Sequence, residues 1–320
     1  MDKIELIIQN GSDIYFPIVK EGMIWETSKS GVPGKLEFTV VKDQKINFQE
    51  GNSVRLKVGN EEVFYGFVFK KNRDKEHHIK VTCYDQLRYL KNKDTLKYKN
   101  KTASEVVKMI AGDFNLKTGI IEDTGFKIKD RKEVDQTLFD MIYNALDITL
   151  TNTKKIYVLY DDFGKLTLKN IESMKLDFMI DEETGENFDY ISSIDDNTYN
   201  QIKLAYDNDK TGVRENYMVK DTGNINKWGV LQYYEKVEDK SNIISKANIL
   251  LKLYNKKTRN LTFKNLLGNP KVRGGSAIIV KMNLGDVILQ NYMVVKTVKH
   301  TFNNDEHFMD IKLIGGEFIA

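Results

Sequence analysis

A chain of 320 residues with 41% hydrophobic and 30% charged side chains is globular in composition and too long for one ordinary core, so two or three domains are expected. Forty-nine basic against 46 acidic side chains leave a formal charge of only +3, mixed along the chain, which argues against a specific nucleic-acid partner. One cysteine, Cys83, excludes an intrachain disulfide and a multi-cysteine zinc site.

Residues 1–95 read as a first β-barrel. Ile4, Leu6 and Ile8, then Leu36, Phe38 and Val40, then Val54, Leu56 and Val58 recur with period two, the mark of half-buried strands. The start, Met1-Asp2-Lys3-Ile4-Glu5, is charged and alternating and lacks the apolar run of a signal peptide; no later stretch is long and apolar enough to span a membrane. Manufacture in a reducing cytosol is expected. Gly59-Asn60 supplies a hairpin turn, and Gly66, inside the apolar run Val63 to Phe69, suggests a bend or bulge. Ile79, Val81 and Cys83 share one strand face, and a helical turn from Asp85 to Leu90 follows.

Residues 96–185 read as a small α+β insert. Thr102-Ala103-Ser104-Glu105 has the form of a capping box, and Val106, Val107, Ile110 and Ala111 follow at helical spacing. A second helix is expected from about Asp135, with its stripe on Leu138, Met141, Ile142, Ala145 and Leu146. Ile156 to Tyr160 and Leu166 to Leu168 flank Asp161-Asp162-Phe163-Gly164 as a hairpin, and the polar run Asp181 to Glu186 forms the exit.

Residues 186–320 return to strands and read as a second β-barrel. Its strands are Gln201 to Tyr206, Arg214 to Val219, Gly229 to Tyr234, Leu261 to Leu267, Ser276 to Met282, Tyr292 to Phe302 and His307 to Leu313. A helix at about 241–255 interrupts them. The fold class is therefore mainly β, two barrels separated by an α+β insert.

Each motif with catalytic associations has a plainer reading. Adjacent His77 and His78 on a strand point to opposite faces and cannot jointly grip one metal, whereas His300 and His307 could meet across a hairpin. Cys83, on an apolar face, reads as a buried inert thiol. Asp207-Asn208-Asp209-Lys210-Thr211-Gly212 imitates half a calcium loop but has Met218 where the bidentate glutamate belongs. Asp162-Phe163-Gly164 spells a kinase triplet without its companion motifs. Gly268-Asn269-Pro270-Lys271-Val272-Arg273-Gly274-Gly275-Ser276 lacks the Gly-Lys-Ser/Thr end of a phosphate loop and reads as a turn entering a strand. No catalytic, cofactor-binding or metal residue is assigned, no cofactor is expected, and the chain is not expected to be an enzyme.

Val81-Thr82-Cys83-Tyr84-Asp85-Gln86-Leu87-Arg88-Tyr89-Leu90 and Tyr98 to Val107 resemble the PBSX-like tail hub proteins of contractile-tailed phages, defective prophages and R-type bacteriocins. Asp123-Thr124-Gly125, the Leu138 to Leu146 helix, Trp228 to Glu235, the Leu267 to Ser276 block, Tyr292 to Val295 and Val298 to Phe302 continue the likeness in order along nearly the whole chain. The resemblance implies the fold of Mu-type hubs and type VI secretion spike hubs, in which two tube-like barrels per chain form a pseudo-sixfold ring in a homotrimer. It implies a baseplate hub joining a hexameric tail tube to a trimeric central spike, with the tape measure and baseplate wedge proteins as further neighbours and no membrane or specific nucleic-acid partner. Such a product is made in the bacterial cytoplasm and assembled into a tail or bacteriocin particle. No fused hydrolase is expected after the last strand. The competing readings are a tail-associated cell-wall hydrolase and a glycan-binding tail-tip module.

Overall fold

In the computed structural model, residues 3–315 are described apart from Gln44, Glu186, Asp196, Asp209, Lys210, Glu238, Asp239, Ser241, Asp286 and Asp305. The last residue of the expected exit run, two positions of the calcium-like loop and the expected start of the late helix thus lie outside the described residues. The chain divides into two compact units. One comprises Met1–Thr149, Lys155–Asp189 and Leu261–Ala320; the other comprises Leu150–Lys154 and Tyr190–Asn260. Among the described residues no helix is long and apolar enough to cross a membrane.

The first unit opens with strands β1 (Ile4–Asn10), β2 (Asp13–Tyr15), β3 (Met23–Ser28), β4 (Lys35–Val41), β5 (Ser53–Val58), β6 (Glu61–Arg73) and β7 (His78–Tyr84). They pair in the order β3-β4-β7-β6-β5-β1-β2. Beyond β2 the chain runs back to β4: Val19 bridges Val40, the Lys20 N–H donates to the Thr39 carbonyl at 2.8 Å, and the Val41 N–H donates to the Ile18 carbonyl at 2.9 Å. That return closes the barrel and removes its free edges. The alternation that the sequence showed fills its interior: Ile8, Leu36, Val40, Val54, Leu56 and Val81 are fully buried. The expected irregularity at Gly66 divides in two. Register shifts fall on either side, between Leu56 and Lys57 in the β5–β6 pair and between Val68 and Lys70 in the β6–β7 pair. Gly66 itself is required by close approach, since a Cβ there would lie 2.4 Å from the Tyr84 carbonyl oxygen.

A 3₁₀ turn at Gln86–Lys91 leads into β8 (Lys93–Thr102), α1 (Ala103–Asp113), β9 (Thr118–Ile121), β10 (Lys127–Thr137), α2 (Leu138–Thr153), β11 (Tyr157–Asp161) and β12 (Leu166–Asn170). α1 starts as its capping box dictates. The Glu105 N–H donates to the Thr102 hydroxyl at 3.2 Å, and the Thr102 N–H donates to the Glu105 carboxylate at 2.8 Å. α2 begins at Leu138, the first residue of its apolar stripe and three positions after the expected Asp135. Gln136 and Thr137 are still paired with Asp94 and Lys93, Asp135 sits at φ +50°, and the Thr137 hydroxyl takes the Asp140 N–H as the helix starts. Val106, Ile110, Leu138, Met141 and Ile142 meet β11 and β12 residues Leu159, Leu166 and Leu168 in one core.

The chain continues into β13 (Lys175–Ile180) and then makes an excursion out of this unit. The excursion starts with β14 (Phe188–Ser193), which runs into the second unit. There β15 (Gln201–Asn208) pairs antiparallel with β16 (Val213–Lys220) and parallel with β17 (Gln232–Val237). Between β16 and β17 lies α3 (Thr222–Trp228), which the sequence reading missed because it carries no apolar stripe: none of its residues is buried. Gly229, at φ +77°, ends it, so the strand expected from Gly229 starts at Gln232. α4 (Ile243–Tyr254) lays Ile243, Ala247 and Leu250 on Ile202, Leu204 and Val237.

Back in the first unit, β18 (Thr258–Leu267), β19 (Ala277–Asn283), β20 (Ile288–Asn303) and β21 (Glu306–Ile314) complete the fold. β20 pairs with β19, β21 and β3, which makes it the strand that joins the late sheet to the barrel: Trp25 lies opposite His300, and Ile24 opposite Thr301.

Candidate functional site

The segment 268–276, between β18 and β19, is held from several sides within the first unit. The Gly274 N–H donates to the Thr27 hydroxyl of β3 at 2.8 Å, and the Gly275 N–H to the Val295 carbonyl of β20 at 2.8 Å. A Cβ on Gly274 would lie 2.2 Å from the Ser28 backbone, so the loop reaches β3 only as glycine. The Arg273 side chain turns to the β11–β12 hairpin. Its Nη2 donates to the Asp161 carbonyl at 2.5 Å, and its guanidinium lies 4.1 Å from the centre of the Tyr160 ring.

Two carboxylates are buried near this arginine. Asp85 accepts from Gly34 N–H at 2.8 Å on one oxygen and from Leu87 N–H at 3.0 Å on the other. Asp161 accepts from Gly164 N–H at 2.7 Å on Oδ1, while its Oδ2 is buried and has no hydrogen-bond partner among the described residues. Burial is the larger cause pushing Asp161 up to about 6, with the Gly164 N–H and the Arg273 charge pulling the other way. Asp85 is raised well above the carboxylate range by burial and then by the Asp161 charge.

On the other side of the loop His300 is fully buried. Its Nε2 lies 2.9 Å from the Val272 carbonyl, an acceptor only, so that nitrogen carries the proton. Its Nδ1 then presents a lone pair to His307 Nε2, 2.9 Å away. Trp25 stacks on His300 at 4.6 Å and Phe302 on His307 at 4.3 Å. Burial holds both imidazoles neutral, pushed down to about 3 and about 4. The two histidines that the sequence placed across a hairpin do meet. Both His300 nitrogens and His307 Nε2 are engaged in fixing the loop and each other.

The other candidates stay apart. His77 is not on a strand; it sits in the β6–β7 turn at φ +65°, and β7 starts at His78. His78 Nδ1 lies 3.2 Å from Asp74, 3.4 Å from Glu76 and 3.1 Å from the Lys20 ammonium, so an exposed trio of metal-ligand type already has a cation at its nitrogen. Cys83 is fully buried, and burial raises its thiol far above the ordinary range. Asp207 is gripped by Arg214 at 2.6 and 3.0 Å and by Lys236 at 2.8 Å. Asp162-Phe163-Gly164 is a turn, with Phe163 at φ +48°. Sequence reasoning missed Asp85 and Asp161 as a pair. No local signal marks them, because they come together only when β11 packs on the 3₁₀ turn that Asp85 caps.

A family model described as YQBQ-like matches residues 23–314. The Bacillus subtilis (strain 168) phage-like element PBSX protein XkdQ is 31% identical, with 97% of each chain covered. The fold is similar to that of the 43 kDa tail protein of prophage MuSo2 from Shewanella oneidensis, with a TM-score of 0.72 at 12% identity, covering 99% of this chain and 100% of that one. It is also similar to E. coli c3393, described as a type VI secretion component structurally similar to the T4 tail proteins gp27 and gp5. There the TM-score is 0.56 at 9% identity, over 99% of this chain and 78% of that one.

Proposed function

We propose, from the premise that this chain belongs to the YQBQ-like family of PBSX-type phage proteins, that it is a structural protein of a phage tail and serves as the baseplate hub. The supporting observation is the end-to-end likeness in fold to a prophage tail protein, with nearly the whole of both chains covered. In this reading three copies form a pseudo-sixfold ring between a hexameric tail tube and a trimeric spike. Tube, spike, tape measure and wedge proteins are its neighbours in the particle, and the chain is made in the bacterial cytoplasm. A closed ring stops growth at a fixed size, which is what an adaptor at the end of a polymerising tube must do.

The buried chemistry supports a protein that works by shape. His300 and Arg273 tie the 268–276 loop to β20 and to the β11–β12 hairpin, and the two carboxylates accept backbone N–H groups of Gly34, Leu87 and Gly164. The experiment is twofold. Deleting the gene from an inducible prophage should abolish assembled tails while tube protein is still made. Imaging of tails carrying a tagged copy should put the tag at the spike end of the tube. Tails of normal form without the chain would refute the hub role. Peptidoglycan turnover by the purified chain, abolished by one carboxylate substitution, would favour the hydrolase reading instead.

A further inference from the structure

We propose that the open edge of β16 takes an extended segment of another protein as a further strand, a segment whose side chains alternate between apolar and acidic. The contact lies wholly within the second unit, so it and the hub role stand or fall separately.

β16 is an edge that little protects. It pairs with β15 over all eight of its residues without a register shift, and the sheet order β16-β15-β17 leaves its other side open. Among the described residues, no backbone group of Val213–Lys220 is bonded to backbone other than that of β15. The strand holds no proline and no bulge, two of the features that ordinarily keep such an edge from pairing. A strand added here gains a ladder of main-chain hydrogen bonds, and the surfaces on either side of the edge choose its side chains.

On one face, α4 lies over β16 and β15. Lys246 of α4 reaches Glu235 of β17 at 2.6 Å. Ile244 and Leu251 stand about 140–160° round the helix from Lys246, on the flank toward β16. Ile244 is 47% exposed there, and Tyr217 and Val219 of β16 point into the same angle between strand and helix. Glu215, on this face too, is already engaged by Lys240, Asn208 and the Tyr217 hydroxyl. Every second side chain of an added strand enters that angle, and apolar ones fit it.

The opposite face is open and basic. Arg214, Met218 and Lys220 of β16 and Tyr234 and Lys236 of β17 are exposed on it. Its charges are Lys203, Arg214, Lys220 and Lys236 against Asp207 alone, which Arg214 and Lys236 both grip. Asp221, next in the chain, gives its oxygens to the Asn224 N–H and the Asn255 amide. Lys203 and Lys220 have no ion-pair partner among the described residues. Carboxylates at the remaining alternate positions of the added strand are what these cations select.

The same features disfavour other occupants. A second β16 paired antiparallel would bring its own Arg214 and Lys220 onto the face that already carries theirs. The one ring that the strands place on this face, Tyr234, is tied by its hydroxyl to Arg214, whereas single-stranded nucleic acid needs successive rings to stack on.

The test uses the full chain and a fluorescent peptide of eight residues, the length of β16, alternating valine and glutamate. Anisotropy should show saturable binding, and hydrogen exchange should show protection gained at Val213–Lys220. Binding should weaken at least about fivefold in the double variant Lys203→Glu with Lys220→Glu, and likewise in Ile244→Lys. Lys97→Glu with Lys132→Glu, the same charge change on the exposed side of β8 and β10, should leave it unchanged. A peptide N-methylated at alternate residues, which cannot complete the ladder, should not bind, nor should an alternating valine–lysine peptide. Unchanged melting temperatures show that the variants are folded. No binding at millimolar peptide, equal binding of the N-methylated form, or equal loss in the control pair overturns the contact. So does protection gained at Gln232–Val237 instead, which would put the strand on β17. An oligothymidylate that binds more tightly and displaces the peptide assigns the basic face to nucleic acid, and a wild-type dimer lost in Ile244→Lys assigns the edge to a second copy; either result also overturns it.

Discussion

His300 Nδ1 lies 2.9 Å from His307 Nε2, with the remaining His300 nitrogen tied to the Val272 carbonyl at 2.9 Å. A neutral pair satisfies both bonds with one fixed tautomer. A proton on His300 Nδ1 would set two donors against each other, so the arrangement tolerates no charge on the buried ring.

Both folded-state values lie below the ordinary histidine value of 6.5, at about 3 and about 4. The unfolded chain therefore takes up protons first as the pH falls. Stability from this pair is complete above pH 6.5 and is lost progressively toward pH 4 and below. His307→Gln keeps a donor toward His300 and removes one titration. The difference in thermal midpoint between wild type and variant should move in the variant's favour from pH 7 to pH 4. A constant difference would refute the lowered His307 titration.

Asp161 works in the opposite sense. Its carboxyl is raised to about 6, so the folded state holds a proton more tightly than the unfolded one. Its contribution improves as the pH falls from about 6 toward 4 and is lost as the pH rises through 6. Asp161→Asn keeps the Oδ1 acceptor for Gly164 and should cancel this gain on acidification. Asp85→Asn has no such latitude, because both oxygens already accept backbone N–H groups and an amide would turn a donor toward one of them. It should cost about 1–3 kcal/mol at pH 7, measured by urea unfolding.

Two glycines separate packing from propensity. Gly274→Ala would drive a Cβ into the Ser28 and Lys29 backbone and should destabilise by more than about 3 kcal/mol, or prevent soluble expression. Gly112→Ala in α1 has open space around it and should stabilise by about 0.5–1 kcal/mol. Equal effects in a thermal melt would show that the 268–276 loop does not seat on β3 as described.

Cys83 should be silent toward a thiol reagent in native buffer and titrate as one thiol per chain in denaturant, since burial both hides it and raises its pKa. Stoichiometric native labelling within minutes would place β7 elsewhere.

Much of the fold was legible because the relevant signals are local. Period-two runs at Ile4–Ile8, Leu36–Val40 and Val54–Val58 became barrel strands, and Thr102 with Glu105 started α1, because strand alternation and helix capping depend on residues within a few positions of each other. α3 was hidden because it buries nothing and so leaves no periodic trace. Asp135 misled because its neighbours continue a strand across an irregular register before the helix begins.

From the sequence alone came the β-rich character, the capping of α1, the inert cysteine face, the approach of His300 to His307 and the resemblance to PBSX-type hubs. Only the tertiary structure decided that residues 18–20 return to β4 and close the barrel, that β20 joins β3, and that Asp85, Asp161 and Arg273 share one buried neighbourhood. Those pairings link residues tens to hundreds of positions apart. Each is selected by which backbones can approach and which charges can be buried together, quantities that no local window of sequence contains.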